Sequence, residues 1–174
     1  AAPVKLAFKL GLKLCRLLVQ LNLPSPGRYI FAPLHRQFAP RLRLLASGGA
    51  KLAPEVGLKL KGLGWQVGTG YGLTETSPLI ALNSGNAPLS TQGKPLAGVE
   101  VRIECEKNSA DRGEIQVRGP NVFTGYLNLE EETARKFTAE GFFKTGDLGE
   151  LDEQGLLSVQ GRVSTMIVTE SGEN

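Results

Sequence analysis

Between residues 41 and 67 the chain changes its hydrophobic period twice, and this alternation limits the folds open to it. Arg41-Leu42-Arg43-Leu44-Leu45-Ala46 alternates and then runs apolar, as a strand does on entering a core. Ser47-Gly48-Gly49-Ala50 breaks the run. Pro54 and Glu55 open a short helix with Val56, Leu60 and Leu63 on one face, and Gly64 closes it. Trp65-Gln66-Val67 begins a second strand. Two strands joined through a helix make an α/β unit and predict a parallel pair, because a helical crossover returns the chain in its original direction.

From about residue 92 the period becomes two. Val99 to Glu104 and Glu114 to Arg118 alternate, and Leu148 to Leu151 faces Leu156 to Val159 across Asp152-Glu153-Gln154-Gly155. Short strands between turn signals predict a small antiparallel barrel or sandwich. Asn128 is placed to cap a short helix whose first turn holds Glu130, Glu131 and Glu132. The fold class predicted is therefore α/β: a layered subdomain with a mostly parallel sheet over residues 1–91, then an antiparallel barrel-like subdomain over 92–160.

Upstream, residues 3–23 read as an amphipathic helix with Lys5, Lys9, Lys13 and Arg16 on one stripe. Four charges exclude a membrane span. The segment has the composition of a helix lying on a membrane surface, and also of one packed on a protein core, the commoner arrangement. Tyr29 to Phe38 suits a further helix, ended by Pro40.

Charge is unevenly placed. Residues 1–64 hold eleven Lys or Arg against Glu55 alone, whereas the remainder holds nine basic and sixteen acidic residues. A basic half suits phosphates or anionic lipid, or a neighbouring acidic surface. Nucleic acid is not expected, because the basic residues are helix-spaced and no recognition motif accompanies them. Cys15 and Cys105 lack CxxC spacing and no signal peptide opens the chain, which predicts a reducing, cytoplasmic compartment and two structural thiols. The sequence leaves oligomeric state open.

The stretch GTGYGLTETSP, residues 68–78, carries the most chemistry. Its glycines let the backbone approach a flat or anionic ligand, at the kind of strand end where open α/β sheets bind ligands. Thr74 and Thr76 can donate to phosphate oxygens, Glu75 can serve Mg²⁺ beside a nucleotide, and Tyr71 offers a ring to a purine. The alternative is a tight glycine turn with a core tyrosine. In FFKTGD, residues 142–147, Asp147 can accept from two vicinal ribose hydroxyls or simply form a turn. Arg162 can bind phosphate or ribose, and His35, the single histidine, suits packing.

Six stretches in order, LLASGGAKL, GYGLTETSP, QGKPLAGVEVRI, RGEIQVRGPNVFTGY, FFKTGDLGELDEQGLLSVQGR and IVTESGEN, resemble the adenylate-forming acyl-CoA synthetases. The last looks like the long-chain fatty acid ligases, and the resemblance covers about residues 29–174. It implies that a carboxylic acid attacks the α-phosphate of ATP, and that a thiol, commonly coenzyme A, then displaces AMP. No protein nucleophile is needed, so catalysis rests on alignment and charge stabilisation.

By match to the family pattern, Tyr71 stacks on adenine with Gly49, Ala50, Thr69 and Gly70 around it. Thr74 binds the α-phosphate, Glu75 the Mg²⁺, Asp147 both ribose hydroxyls, and Arg162 the ribose from its other side. Gly48, Gly49 and Gly72 border the acyl tunnel. The family's phosphate loop and its C-terminal lobe with the catalytic lysine have no match here, so the resemblance implies a fragment that turns over nothing alone. Residues 161–174 then form the hinge, with Ser164 where the family usually carries Asp or Lys, and Thr69 stands where Glu or Gln is frequent. Two further readings stay open: a ligase delivering to acyl carrier protein, and a silent homologue that binds a lipid surface or a partner.

Overall fold

The computed structural model describes residues 2–50, 52–85, 87–105 and 113–163. It divides into two compact units: Ala1–Thr69 with Ser84–Leu89, and Gly70–Asn83 with Ser90–Asn174. Residues 70–83, grouped above with the first subdomain, sort with the second unit.

The first unit contains α1 (Ala2–Gln20), α2 (Gly27–Ile30), α3 (Ala32–Phe38), β1 (Leu44–Ser47), α4 (Pro54–Gly62) and the start of β2 (Gln66–Tyr71). β1 and β2 pair in parallel, from Leu44 opposite Gln66 to Ser47 opposite Thr69, as the crossover predicts. Pro54 at the start of α4 forgoes a donor that would be unpaired there anyway, and Lys59 and Lys61 face the negative end of the helix. Leaving α4, the chain turns at Gly64 with φ +99°, where an added Cβ would lie 2.2 Å from the Arg28 nitrogen. Only glycine fits this crossing.

Two expectations change, one for a helix and one for a strand. The helix over 29–38 is interrupted at Phe31, because Pro33 lacks the N–H that would continue the ladder and its ring crowds the preceding turn. β1 starts at Leu44 because Pro40 and Arg41 lie in a turn closed by the Leu42 N–H on the Ala39 carbonyl. His35 is a packing residue: buried against Trp65, its Nε2 donates to the Leu63 carbonyl at 2.8 Å. On α1, Cys15 is buried and Arg16 pairs with Glu55 of α4 at 2.9 Å. No helix among the described residues is long and apolar enough to cross a membrane.

The second unit holds the end of β2, a 3-10 turn at Thr74–Thr76, β3 (Ala81–Asn83), β4 (Lys94–Pro95), β5 (Glu100–Cys105), β6 (Gly113–Arg118), α5 (Glu130–Lys136), β7 (Phe143–Leu151) and β8 (Leu157–Arg162). β3 pairs with β4, and β5-β6-β7-β8 form an antiparallel sheet in chain order. Ile80, Ala81, Ile115, Val117, Phe143 and Leu157 make its buried core. The predicted β7–β8 hairpin forms, its turn held by Asp152 Oδ1, which accepts from the Gln154 and Leu156 amides at 2.9 and 2.8 Å. Asn128 does not cap α5; it sits at φ +58°, a conformation that asparagine tolerates better than most residues, and Leu129 takes the cap position.

One irregularity prepares the site. Glu114 lies opposite Leu148 and Gln116 opposite Lys144, so Thr145, Gly146 and Asp147 together oppose Ile115. Gly146 takes up the kink at φ +73°, and Thr145 Oγ1 ties the bulge down by donating to the Ile115 carbonyl at 2.7 Å.

Candidate nucleotide site

β2 runs through Gly68-Thr69-Gly70 to Tyr71, so these glycines are strand residues and not the loop expected above. The chain then doubles back. Ile80 N–H bonds the Tyr71 carbonyl at 2.8 Å, and a Cβ on Gly72 would stand 1.7 Å from the Pro78 carbonyl oxygen. Inside the loop the buried Thr76 hydroxyl accepts from the Leu73 amide at 2.9 Å, and Ser77–Pro78 is cis. A distant segment fixes the loop from outside. Asn121 Nδ2 donates to the Thr76 and Leu79 carbonyls at 3.0 and 2.7 Å, and the Phe123 amide donates to the Glu75 carbonyl at 2.8 Å.

Asp147 faces the buried side of β7, where a bare carboxylate would be costly. It is held on both oxygens. Tyr71 donates its phenol proton to Oδ2 at 2.7 Å, and Arg162, its register partner on β8, donates from Nε to Oδ1 at 2.9 Å. Burial, first of all, and then the neighbouring carboxylate hold the Tyr71 phenol well above the usual tyrosine range, so it remains a donor. A carboxylate has four acceptor positions and these bonds use one per oxygen. Among the described residues, one acceptor position per oxygen is left without a hydrogen bond.

Glu75 follows Thr74 in the 3-10 turn. Its Oε1 accepts from the Tyr126 hydroxyl at 2.8 Å, and its Oε2 has no hydrogen bond among the described residues. Thr74 is exposed, and its hydroxyl also has no partner among them. A hollow of about 420 Å³ takes in Glu75, Glu114, Tyr126, Lys136, Thr145 and Arg162. Of the predicted site residues, Glu75 and Arg162 are on its wall, whereas Tyr71, Thr74 and Asp147 are not. Glu114 Oε1 also accepts the Gly146 amide at 3.0 Å, bracing the bulge. Two carboxylates, Glu75 and Glu114, and two cations, Lys136 and Arg162, line this hollow, a set that suits a ligand carrying both phosphate and polyol.

The remaining predicted positions divide between the units. Gly70 and Gly72 belong to the second, with Tyr71, Thr74, Glu75, Asp147 and Arg162. Gly48, Gly49 and Ala50, exposed after β1, and Thr69, buried in β2, belong to the first. Ser164 and IVTESGEN lie outside the described residues.

Tyr126, Glu114 and Asn121 are site residues that the sequence does not reveal. Tyr126 lies 51 positions from the carboxylate it meets, and only the meeting of the two segments in space marks it. Loss of hydration and the Glu75 carboxylate push the Tyr126 phenol up to about 12. An unfolded tyrosine ionises near 10. Between these values the folded state holds the extra proton, so its stability is full below pH 10 and is lost as pH rises toward 12. Tyr126→Phe is expected to flatten that part of the stability curve, read by urea unfolding at stepped alkaline pH; an unchanged slope would remove the bond.

Comparison with known proteins adds the family. The model for the AMP-binding enzyme family matches residues 14–127. The chain is 41% identical over 148 residues to the long-chain-fatty-acid–CoA ligase FadD15 of Mycobacterium bovis, covering 84% of this chain and 24% of that protein. It is 40% identical over 142 residues to malonate–CoA ligase of Arabidopsis thaliana, covering 77% and 22%. Among solved structures, unliganded O-succinylbenzoate coenzyme A synthetase (MenE) of Bacillus subtilis superposes with a TM-score of 0.71 at 34% identity, over 84% of this chain and 34% of that one. The same enzyme in complex with ATP and magnesium ion gives 0.69 at 33% identity, over 83% and 32%. The chain thus spans about a quarter of the length of these curated relatives.

Proposed function

Since the chain belongs to the family of AMP-binding enzymes, we propose that it forms the nucleotide-holding part of an ATP-dependent long-chain fatty acid–CoA ligase. A fatty acid carboxylate oxygen bonds to the α-phosphorus of ATP as the bond to pyrophosphate breaks. The thiolate of coenzyme A then attacks the acyl carbon, and AMP leaves. The observation that carries the reading is the double grip on Asp147, which joins residues 71, 147 and 162 around one carboxylate with an acceptor position open on each oxygen.

Asp147 accepts from the two ribose hydroxyls while Tyr71 keeps its hydroxyl on Oδ2 and offers its ring to adenine. The carboxylate is nearly buried, and Arg162, 59% exposed at its side chain, shifts to admit the ribose and then donates to it. Thr74 Oγ1 donates to the α-phosphate. Glu75 has one tethered oxygen and one unoccupied, and no cluster of three or more His, Cys, Asp or Glu among the described residues could hold a metal unaided. That donor set fits Mg²⁺, which takes one or two carboxylates and completes its shell with substrate phosphates and water. When bound, the ion neutralises phosphate charge, and Glu75 with Tyr126 would hold it.

In the same reading the chain is part of a longer, cytoplasmic enzyme whose successive subdomains divide near residue 91, except that residues 70–83 go with the second; 161–174 is its hinge, and the chain alone is inactive. Gly48, Gly49, Ala50 and Thr69 enter the reading by sequence match alone. Chain length preference follows from acyl burial, at about 0.8 kcal/mol per methylene. A longer protein carrying this chain is expected to release pyrophosphate from ATP only with a fatty acid present, more efficiently for long chains than for short. Release independent of fatty acid would reject the ligase, and dependence on carrier protein in place of coenzyme A would move the assignment to that acceptor.

A further inference from the structure

One distant segment holds Glu75 at two points. The Glu75 carbonyl accepts from the Phe123 amide at 2.8 Å, and its Oε1 accepts from the Tyr126 hydroxyl at 2.8 Å. The tyrosine is itself fixed, at its ring and at its main chain. Its ring meets Phe123 edge-on with centroids 4.8 Å apart, and Phe123 in turn packs against Phe137 and against Phe143 of the buried core. The Tyr126 amide donates to Thr133 Oγ1 of α5 at 2.9 Å. Gly125 makes room for that bond, since a Cβ there would lie 2.6 Å from Thr133 Cγ2 and 3.0 Å from its Oγ1. The phenol therefore reaches the carboxylate from a fixed base. Glu75 is left with Oε1 engaged and Oε2 without a hydrogen bond among the described residues.

We infer that Tyr126 is a positioning residue that limits Glu75 to one oxygen toward a divalent ion and thereby favours Mg²⁺ over Ca²⁺, given the role of Glu75 as metal ligand proposed above. The ground is the difference between the two ions. Mg²⁺ demands near-octahedral geometry at about 2.0–2.1 Å, keeps several waters, and is served by one or two carboxylates beside substrate phosphates. Ca²⁺ takes about six to eight oxygens at about 2.3–2.6 Å and accepts both oxygens of one carboxylate. An ion taken by both oxygens of Glu75 would have to share Oε1 with the phenol proton, which draws electron density from that oxygen. A single open oxygen on a fixed side chain suits the smaller ion. Without the phenol the carboxylate can turn to offer both oxygens, and the larger ion gains.

The test is ATP binding to the whole chain by calorimetry, without divalent ion and with Mg²⁺ or Ca²⁺, each ion read as the gain in affinity it brings. In the parent chain the larger gain is expected with Mg²⁺. Tyr126→Phe keeps the ring against Phe123 and removes only the donor. It should lower the Mg²⁺ gain about ten-fold, as loss of an outer support to a metal ligand does, and leave the Ca²⁺ gain equal or larger. Each gain is a ratio to the ion-free chain, so a general loosening of the turn cancels. A larger parent gain with Ca²⁺, an equal fall in both gains, or no change in either overturns the inference. In a Glu75→Gln background Tyr126→Phe should change neither gain, because it acts through that carboxylate, and a further loss there overturns it too. Glu75→Gln alone tests the ligand and should remove most of both gains. If the parent gains nothing from either ion, or Glu75→Gln keeps its gains, the metal role of Glu75 falls and that of Tyr126 with it, while ion-free ATP binding still reports the rest of the nucleotide site.

Discussion

Asp147→Ala is expected to weaken AMP binding about 100-fold in calorimetry, since two hydrogen bonds to a charged acceptor are lost at about 1.5–3 kcal/mol each, less what water returns. The substitution also strands two donors, the half-buried Tyr71 hydroxyl and Arg162 Nε. An unpaired buried donor costs about 1–3 kcal/mol, so urea unfolding belongs beside the calorimetry. Tyr71→Phe separates the effects. It keeps the ring for adenine and removes only the tether, and should cost AMP less than ten-fold, by about one ordinary hydrogen bond. If folded Asp147→Ala binds AMP as tightly as the parent chain, the carboxylate is not at the ribose and the reading fails at its central residue.

The second large effect is on folding. An alanine at Gly72 would bring its Cβ within 1.7 Å of the Pro78 carbonyl oxygen, 2.7 Å of its carbon and 2.8 Å of Leu79 Cα, all backbone atoms that no rotamer change can move away. Gly72→Ala should therefore cost at least about 3 kcal/mol in urea unfolding, at the upper end for an overpacked site. Gly141→Ala is the control: that glycine has φ +80° and nothing within 4 Å, so only the left-handed backbone is charged for, at about 1 kcal/mol. A longer protein carrying Gly72→Ala with full stability and an altered acyl preference would instead place the glycine at the border of an acyl tunnel.

Legibility in the sequence followed the range of the interaction. The parallel β1–β2 pair, α4 with its proline start, and the β7–β8 hairpin were each set by neighbouring residues, and each formed. The strand through Gly68 and Gly70 was missed because glycine normally weakens a strand. At Gly70 the reason is close approach: a Cβ there would meet Leu79 Cδ2 at 3.0 Å. Asn128 misled in the same way, since a residue favoured at caps is also favoured at positive φ. Of the candidate site, the residues that bear charge or a ring were legible as types. Their anchors were not: Asn121 holds the loop from 42 residues away and Tyr126 holds Glu75 from 51. Nothing local to either residue records that contact.

The bulge in β7 has a last consequence. Between the flanking pairs, β7 spends three residues where β6 spends one, an even excess. Parity along the strand is thereby preserved, and Phe143, Thr145, Asp147 and Gly149 all point to the same interior. Gain or loss of a single residue at this corner would invert every later position of the strand, turning the Asp147 carboxylate out and Leu148 in. Side chains here can drift one at a time, but length can change only in twos.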